Sequence, residues 1–93
     1  MTKKEIKDTA KEICVESKEF NSNNAWGFGG AYGMLYKFAD NSFLKIGTAC
    51  FRHTGTAPII VFYYPDEDSR YRTENRKEIE ALITNLKINK NKT

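Results

Sequence analysis

The sequence predicts a small α+β domain in which two helices flank a three-stranded antiparallel sheet, in the order α-β-β-β-α. Apolar residues recur at helical spacing near both ends of the chain, and the middle is dense in aromatic and β-branched residues. A chain of 93 residues with 40% hydrophobic residues can bury one modest core. We therefore expect one domain over residues 1–88, with both helices packed on one face of the sheet.

The first helix is predicted to begin after Thr2, whose hydroxyl can cap it. Its apolar stripe continues at helical spacing through Ile6, Ala10, Ile13, Cys14, Ser17 and Phe20. Acidic residues cluster on one side of the helix, and lysines form a basic ridge beside the stripe: Lys4, Lys7, Lys11 and Lys18. Sorted charges indicate a helix that presents one sign of charge to a partner, and a solvated face is the alternative.

Three strands are predicted in the middle of the chain. Residues 32–38 and 43–52 read as a hairpin around a two-residue turn at 40–41, where Asp and Asn tolerate positive φ angles. The run 59–64 is rich in β-branched and aromatic residues and forms the third strand.

Thr73 is predicted to cap the second helix. The helix turns Ile79, Leu82, Ile83 and Leu86 inward. Residues 89–93 are expected to be a basic, frayed tail.

The predicted turn determines which side chains share a face, because it places Phe38 opposite Phe43. One face then carries the rings: Tyr32, Met34, Tyr36, Phe38, Phe43, Lys45, Gly47, Ala49 and Phe51. The other is aliphatic: Gly33, Leu35, Lys37, Leu44, Ile46, Thr48, Cys50 and Arg52. Because the helix stripes are aliphatic too, we expect the helices to cover the second face and to leave the rings exposed. The inverse assignment, with the rings inside, is the competing prediction.

An exposed aromatic face is typical of an interaction surface. We expect a non-enzymatic module that binds a protein partner, of the size of the small inhibitors and adaptors that phages and mobile elements direct at host complexes. A homodimer through the same face is an alternative partner arrangement. The predicted partner-binding residues are Tyr32, Met34, Tyr36, Phe38, Phe43, Lys45 and Phe51.

Single-stranded RNA or DNA is the alternative ligand of this face. Its rings would stack on bases while Lys37, Lys45 and Arg52 neutralise phosphates. The net charge of +3 supplies few phosphate contacts, so the composition favours the protein partner.

Catalytic and metal-binding patterns are weak. His53 follows Cys50 at an odd separation, which sends the two side chains to opposite faces of a strand. Cys14, Cys50 and His53 lack a fourth zinc ligand and the usual paired spacing. We predict no enzyme activity, no metal and no cofactor.

The predicted location is the cytoplasm. Residues 1–12 lack the apolar stretch of a signal peptide, and the longest apolar run, 57–64, is too short to cross a membrane. Cys14 and Cys50 are expected to be thiols, since two cysteines do not make a disulfide framework.

The α-β-β-β-α order is similar to that of the double-stranded RNA-binding domain. That family has a glycine, proline and histidine loop between its first two strands and a lysine cluster that opens its last helix. Here the first turn is at residues 40–41 and the last helix opens with Glu74, Asn75, Arg76 and Lys77. The likeness is limited to the order of elements and implies nothing about the ligand.

Overall fold

A computed structural model describes residues 1–23, 30–51, 55–65 and 71–91. The order of its helices and strands differs from the predicted order. In chain order they are α1 (Lys3–Ile13), β1 (Glu16–Asn23), β2 (Gly30–Lys37), β3 (Phe43–Phe51), β4 (Gly55–Tyr63), β5 (Arg72–Thr73) and α2 (Arg76–Asn91). The five strands form one antiparallel sheet in the order β1-β2-β3-β4-β5. The predicted α+β class with two helices and an antiparallel sheet is confirmed, and the predicted count of three strands is wrong.

Helix α1 begins as predicted and ends earlier. Thr2 and Glu5 form a capping box, in which the Glu5 amide donates to the Thr2 hydroxyl at 3.2 Å and the Glu5 carboxylate accepts from the Thr2 amide at 3.3 Å. The chain leaves the helix at Cys14, whose backbone is extended with φ −69° and ψ 149°. Residues 16–23 form β1 and pair along their whole length with β2. The predicted helical stripe beyond residue 14 is therefore wrong.

Between β2 and β3, Phe38 and Ser42 close a hairpin loop of three residues, 39–41, and not two. The Phe38 amide donates to the Ser42 carbonyl at 2.8 Å, and the Asn41 amide donates to the Phe38 carbonyl at 3.0 Å. Asn41 adopts the left-handed conformation, with φ 72°, that completes a three-residue hairpin loop. Lys37, and not Phe38, consequently lies opposite Phe43, so the predicted register is wrong by one residue.

A one-residue slip moves every β2 side chain to the other face of the sheet. Tyr36 and Phe38, predicted to be exposed, are 2% and 1% exposed and belong to the core. Leu44 and Ile46 are buried in the same core, as predicted. The core joins one face of the sheet to both helices through Ile6, Ala10, Ile13, Tyr36, Phe38, Leu44, Ile46, Phe62, Ile79 and Ile83.

Strand β4 begins at Gly55, four residues before the predicted start at residue 59. Its first seven residues pair with β3 alone among the described strands, because β5 pairs only with Phe62 and Tyr63. Pro58 lies in that stretch, where one side of the strand needs no amide donor.

Helix α2 begins later and ends later than predicted. Its cap is Asn75, whose side-chain oxygen accepts from the Glu78 amide at 3.1 Å, and not Thr73. The helix continues to Asn91, past residue 88, where the predicted domain ends. Lys90 lies in this extension and donates to the Glu12 carbonyl at 2.8 Å. None of the described helices is long and apolar enough to cross a membrane.

Glu78 connects α2 to the end of the sheet. Its carboxylate accepts hydrogen bonds from the Tyr64 hydroxyl and, at 2.8 Å, from the Thr73 hydroxyl. These hydrogen bonds hold the pKa of the Glu78 carboxyl below its usual value of 4.5, and the bond from Tyr64 has the larger effect. The same bond raises the pKa of the Tyr64 phenol.

We expect Tyr64→Phe to lower the melting temperature at pH 7 and to lose most of that effect at low pH. A carboxyl whose pKa is lower in the folded protein stabilises it above the unfolded value of 4.5, and that contribution disappears as the pH falls through the folded value. Thermal unfolding followed by circular dichroism at pH 7 and at low pH measures the melting temperatures. Tyr71→Phe is the matched control, because Tyr71 is 67% exposed. An equal drop in melting temperature at both pH values would contradict a stabilising role for the hydrogen bond between Tyr64 and Glu78.

Candidate functional site

The sheet has one face covered by α1 and α2 and one face turned away from them, which we call the open face. Residues paired directly across antiparallel strands point to the same side, so the register assigns each strand residue to a face. The open face is built in rows that run across the strands. Three rows carry its larger side chains: Glu16, Lys37, Phe43, Tyr63 and Arg72; then Lys18, Leu35, Lys45 and Val61; then Phe20, Gly33, Gly47 and Ile59.

The rings of the open face contact one another and a lysine. Phe43 and Tyr63 stack with their centroids 4.4 Å apart and their planes 13° from parallel. The Lys45 ammonium lies 4.7 Å from the centroid of the Phe20 ring, a cation–π contact. Lys45 reaches Phe20 over the two glycines of the third row, since Gly33 lies directly opposite Phe20. Each of the Phe20, Phe43 and Tyr63 rings therefore has one surface that another side chain already covers.

Apolar side chains occupy the centre of the open face and are incompletely hidden. Leu35, Phe43, Ile59 and Tyr63 are half-buried. Val61 is 6% exposed, although it is not part of the core cluster on the helical side. An apolar sheet surface without a helix over it is the kind of patch that marks an interaction site.

Positive charge flanks this centre on both edges of the sheet and at one end of the strands. Lys18 lies on edge strand β1, Arg72 lies on edge strand β5, and Lys37 is the last residue of β2; all three are exposed. Glu16 is the one acidic residue on the described part of this face. The open face thus combines an apolar centre with a basic perimeter.

The predicted partner-binding residues are divided between the two sides of the sheet. Phe43 and Lys45 lie on the open face. Tyr36 and Phe38 are in the core, and Met34 packs against it, so the predicted aromatic face does not exist as one surface. Tyr32 is on the helical side and is 52% exposed. The side chain of Phe51 lies outside the described residues.

Phe20, Leu35, Ile59, Val61 and Tyr63 belong to the open face and were not predicted as site residues. The alternation of Ile59, Val61 and Tyr63 along β4 was a usable signal, because a strand places every second side chain on one face. Phe20 and Leu35 had no such signal. Phe20 was assigned to the first helix, and Leu35 was assigned to the wrong face of the sheet.

The basic ridge retains Lys4, Lys7 and Lys11, which are exposed along α1. Lys18 is not part of it, because that residue lies in β1 on the opposite side of the sheet. The ridge borders a groove between α1 and β2. Its role as a binding feature stays a prediction.

The phenol of Tyr36 lines the groove beside the ridge. Burial raises its pKa, and the electrostatic effects of Cys14 and Asp8 act in the same direction. Tyr36 therefore stays neutral at physiological pH.

Cys14 and Cys50 are free, half-buried thiols. The Cys14 thiol donates to the Lys11 carbonyl at 3.3 Å. Within the described ranges, histidine, cysteine and acidic side chains form no group of three or more that could hold a metal ion. His53 lies outside those ranges, so its predicted separation from Cys50 stays a prediction.

No protein-family model matches the chain, and comparisons with curated proteins and with solved structures found no significant similarity. The fold and the open face define a small α+β protein with one sheet face available for contact.

Proposed function

We propose that the protein is a non-enzymatic binding module that docks a protein partner through the open face, acting in the cytoplasm as a small inhibitor or adaptor. The observation that carries the proposal is the arrangement of this face, with an apolar centre inside a basic perimeter. Protein interfaces have the same anatomy, with a core rich in aromatic residues and poor in charge, and a polar rim.

The ring contacts favour a protein partner over a nucleic acid. Base recognition on a sheet needs free ring surfaces on which bases can stack. Phe43 and Tyr63 cover each other on one side, and Lys45 covers one side of Phe20. Packing against another apolar surface needs only the exposed edges of these rings.

Single-stranded RNA or DNA is the second candidate, and one observation favours it. Lys18, Lys37 and Arg72 share the open face with the rings, whereas the predicted register had placed Lys37 on the other face. Cations beside rings are the elements of a single-strand platform.

A second copy of the chain is less favoured as the partner. Two open faces brought together would oppose their basic perimeters, and like charges across an interface are costly.

Site-specific photo-crosslinking tests the proposal. A photoreactive phenylalanine replaces Tyr63 on the open face and, as the control, Asn85, which is exposed on α2. We expect adducts with one protein at position 63 and none at position 85. Nuclease-sensitive adducts at position 63 would instead support the nucleic-acid candidate, and absence of position-specific adducts would contradict both.

The captured protein is then purified and titrated against variants by calorimetry. Tyr63→Ala is expected to weaken binding about tenfold or more, as truncation of an interface anchor does. Asn85→Ala is the control and should bind like the unmodified chain. Circular dichroism verifies that both variants are folded.

A further inference from the structure

The open face contains a depression between β1, β2 and β3. It is lined by Glu16, Ser17, Lys18, Leu35, Lys37 and Phe43. Leu35 and Phe43 supply its apolar surface, and they are diagonal neighbours because Lys37 lies opposite Phe43 two residues after Leu35. The depression therefore has an apolar floor next to the Phe43 and Tyr63 stack.

The size of the depression suits one side chain. Its volume is about 200 Å³, which is below the roughly 300–1,000 Å³ of small-molecule sites. Interface anchors are single aromatic or aliphatic side chains inserted into pockets of this kind.

Two lysines, Lys18 and Lys37, are neighbours of Leu35 on the open face. Lys18 lies directly opposite it on β1, and Lys37 follows it by two residues on the same face. Both side chains are exposed, and within the described chain neither ammonium makes an ion pair or hydrogen bond. Glu16 lies opposite Lys37 and offsets part of this charge, but the lining of the depression keeps a net positive charge for carboxylates that flank an inserted side chain.

We infer that the depression anchors one aromatic or leucine side chain of an acidic segment of the partner, with Lys18 and Lys37 contacting carboxylates on either side of it. The inference rests on the proposed function and specifies the chemistry of the partner. An apolar floor selects the anchor, and the two ammonium groups select its acidic neighbours.

Short synthetic peptides test the inference on the full chain labelled with ¹⁵N. The probe has one phenylalanine between glutamate and aspartate residues, and its controls replace the phenylalanine by alanine or the acids by lysines. A thymidine oligonucleotide is the nucleic-acid probe. We expect the first peptide alone to shift the amides of residues 16–18, 35–37 and 43, and the alanine peptide to bind about tenfold more weakly.

Single charge reversals show whether the lysines contribute. Lys18→Glu and Lys37→Glu are each expected to weaken the phenylalanine peptide about tenfold. Lys77→Glu is the matched control, since Lys77 is exposed on α2, and it should leave the affinity unchanged. Equal binding of the alanine or lysine peptide, shifts elsewhere, or tighter binding of the oligonucleotide at the same amides would overturn the inference.

The two proposals fail in different ways. If the partner crosslinked through position 63 binds Lys18→Glu and Lys37→Glu with full affinity, the open face binds a protein and the acidic anchor is wrong. If neither peptides nor adducts are found at the open face, both proposals are wrong.

Discussion

Replacing Phe38 by alanine is expected to destabilise the protein by about 3–5 kcal/mol, as truncation of a buried aromatic residue does. Phe38 is 1% exposed, belongs to the core between sheet and helices, and stacks on Phe62 with centroids 6.0 Å apart. Truncation of the ring removes its contact with Phe62 and leaves a cavity in the core. Urea unfolding gives the free energy directly.

Phe43→Ala is the matched control, since it removes the same ring from the other face. Phe43 is half-buried and contacts Tyr63, so its loss should cost about 1 kcal/mol. The pair of variants reports the register of the hairpin. Small and similar losses for Phe38→Ala and Phe43→Ala would contradict the three-residue loop and restore the register in which both rings share an exposed face.

The class of the fold was predictable from the sequence, because helical and strand periods are local. The helix cap at Thr2 and the burial of Leu44 and Ile46 were predicted from the sequence. The register was not predictable, because Asp40 and Asn41 suit both a two-residue and a three-residue loop. Asn41 adopts the left-handed conformation of the longer loop. The additional loop residue moves the side chains of β2 to the opposite faces from those predicted.

Strands β1 and β5 could not be predicted for a different reason. β1 is an edge strand whose Ser17, Glu19 and Asn21 side chains are exposed, so it shows no apolar alternation. Ser17 and Phe20 happen to continue the helical spacing of α1. β5 has two residues, and its pairing with the end of β4 defines it. Each strand depends on contacts distant in sequence.

The candidate site inherited these errors in part. Phe43 and Lys45 were placed on an uncovered face, where the structure has them, because their own strand was assigned correctly. The strands on either side supply the rest of the open face. Only pairing across the sheet brings Phe20, Leu35 and Tyr63 beside Phe43 and Lys45.

Gly47→Ala should destabilise the protein by about 1–3 kcal/mol, the cost of forcing an extra carbon into a packed site. A Cβ at Gly47 would lie 2.1 Å from the Tyr32 carbonyl oxygen and 2.8 Å from the Gly33 Cα. Both atoms belong to the backbone, so the strands must separate to admit it. Elsewhere in a strand the same change commonly stabilises, because alanine restricts the unfolded chain more than glycine does.

A double-mutant cycle with Gly33→Ala separates this clash from a general effect of alanine in the strand. A Cβ at Gly33 would lie 2.3 Å from the Ile46 carbonyl oxygen and 2.5 Å from the Gly47 Cα, so both substitutions push the same two strands apart. Once one substitution has separated them, the second should cost less, and the two losses should sum to more than the loss of the double variant. Additive losses, or a gain in stability for Gly47→Ala, would show that β2 and β3 do not approach so closely here. Because Lys45 reaches Phe20 over this glycine pair, separated strands should also loosen that contact and weaken binding at the open face.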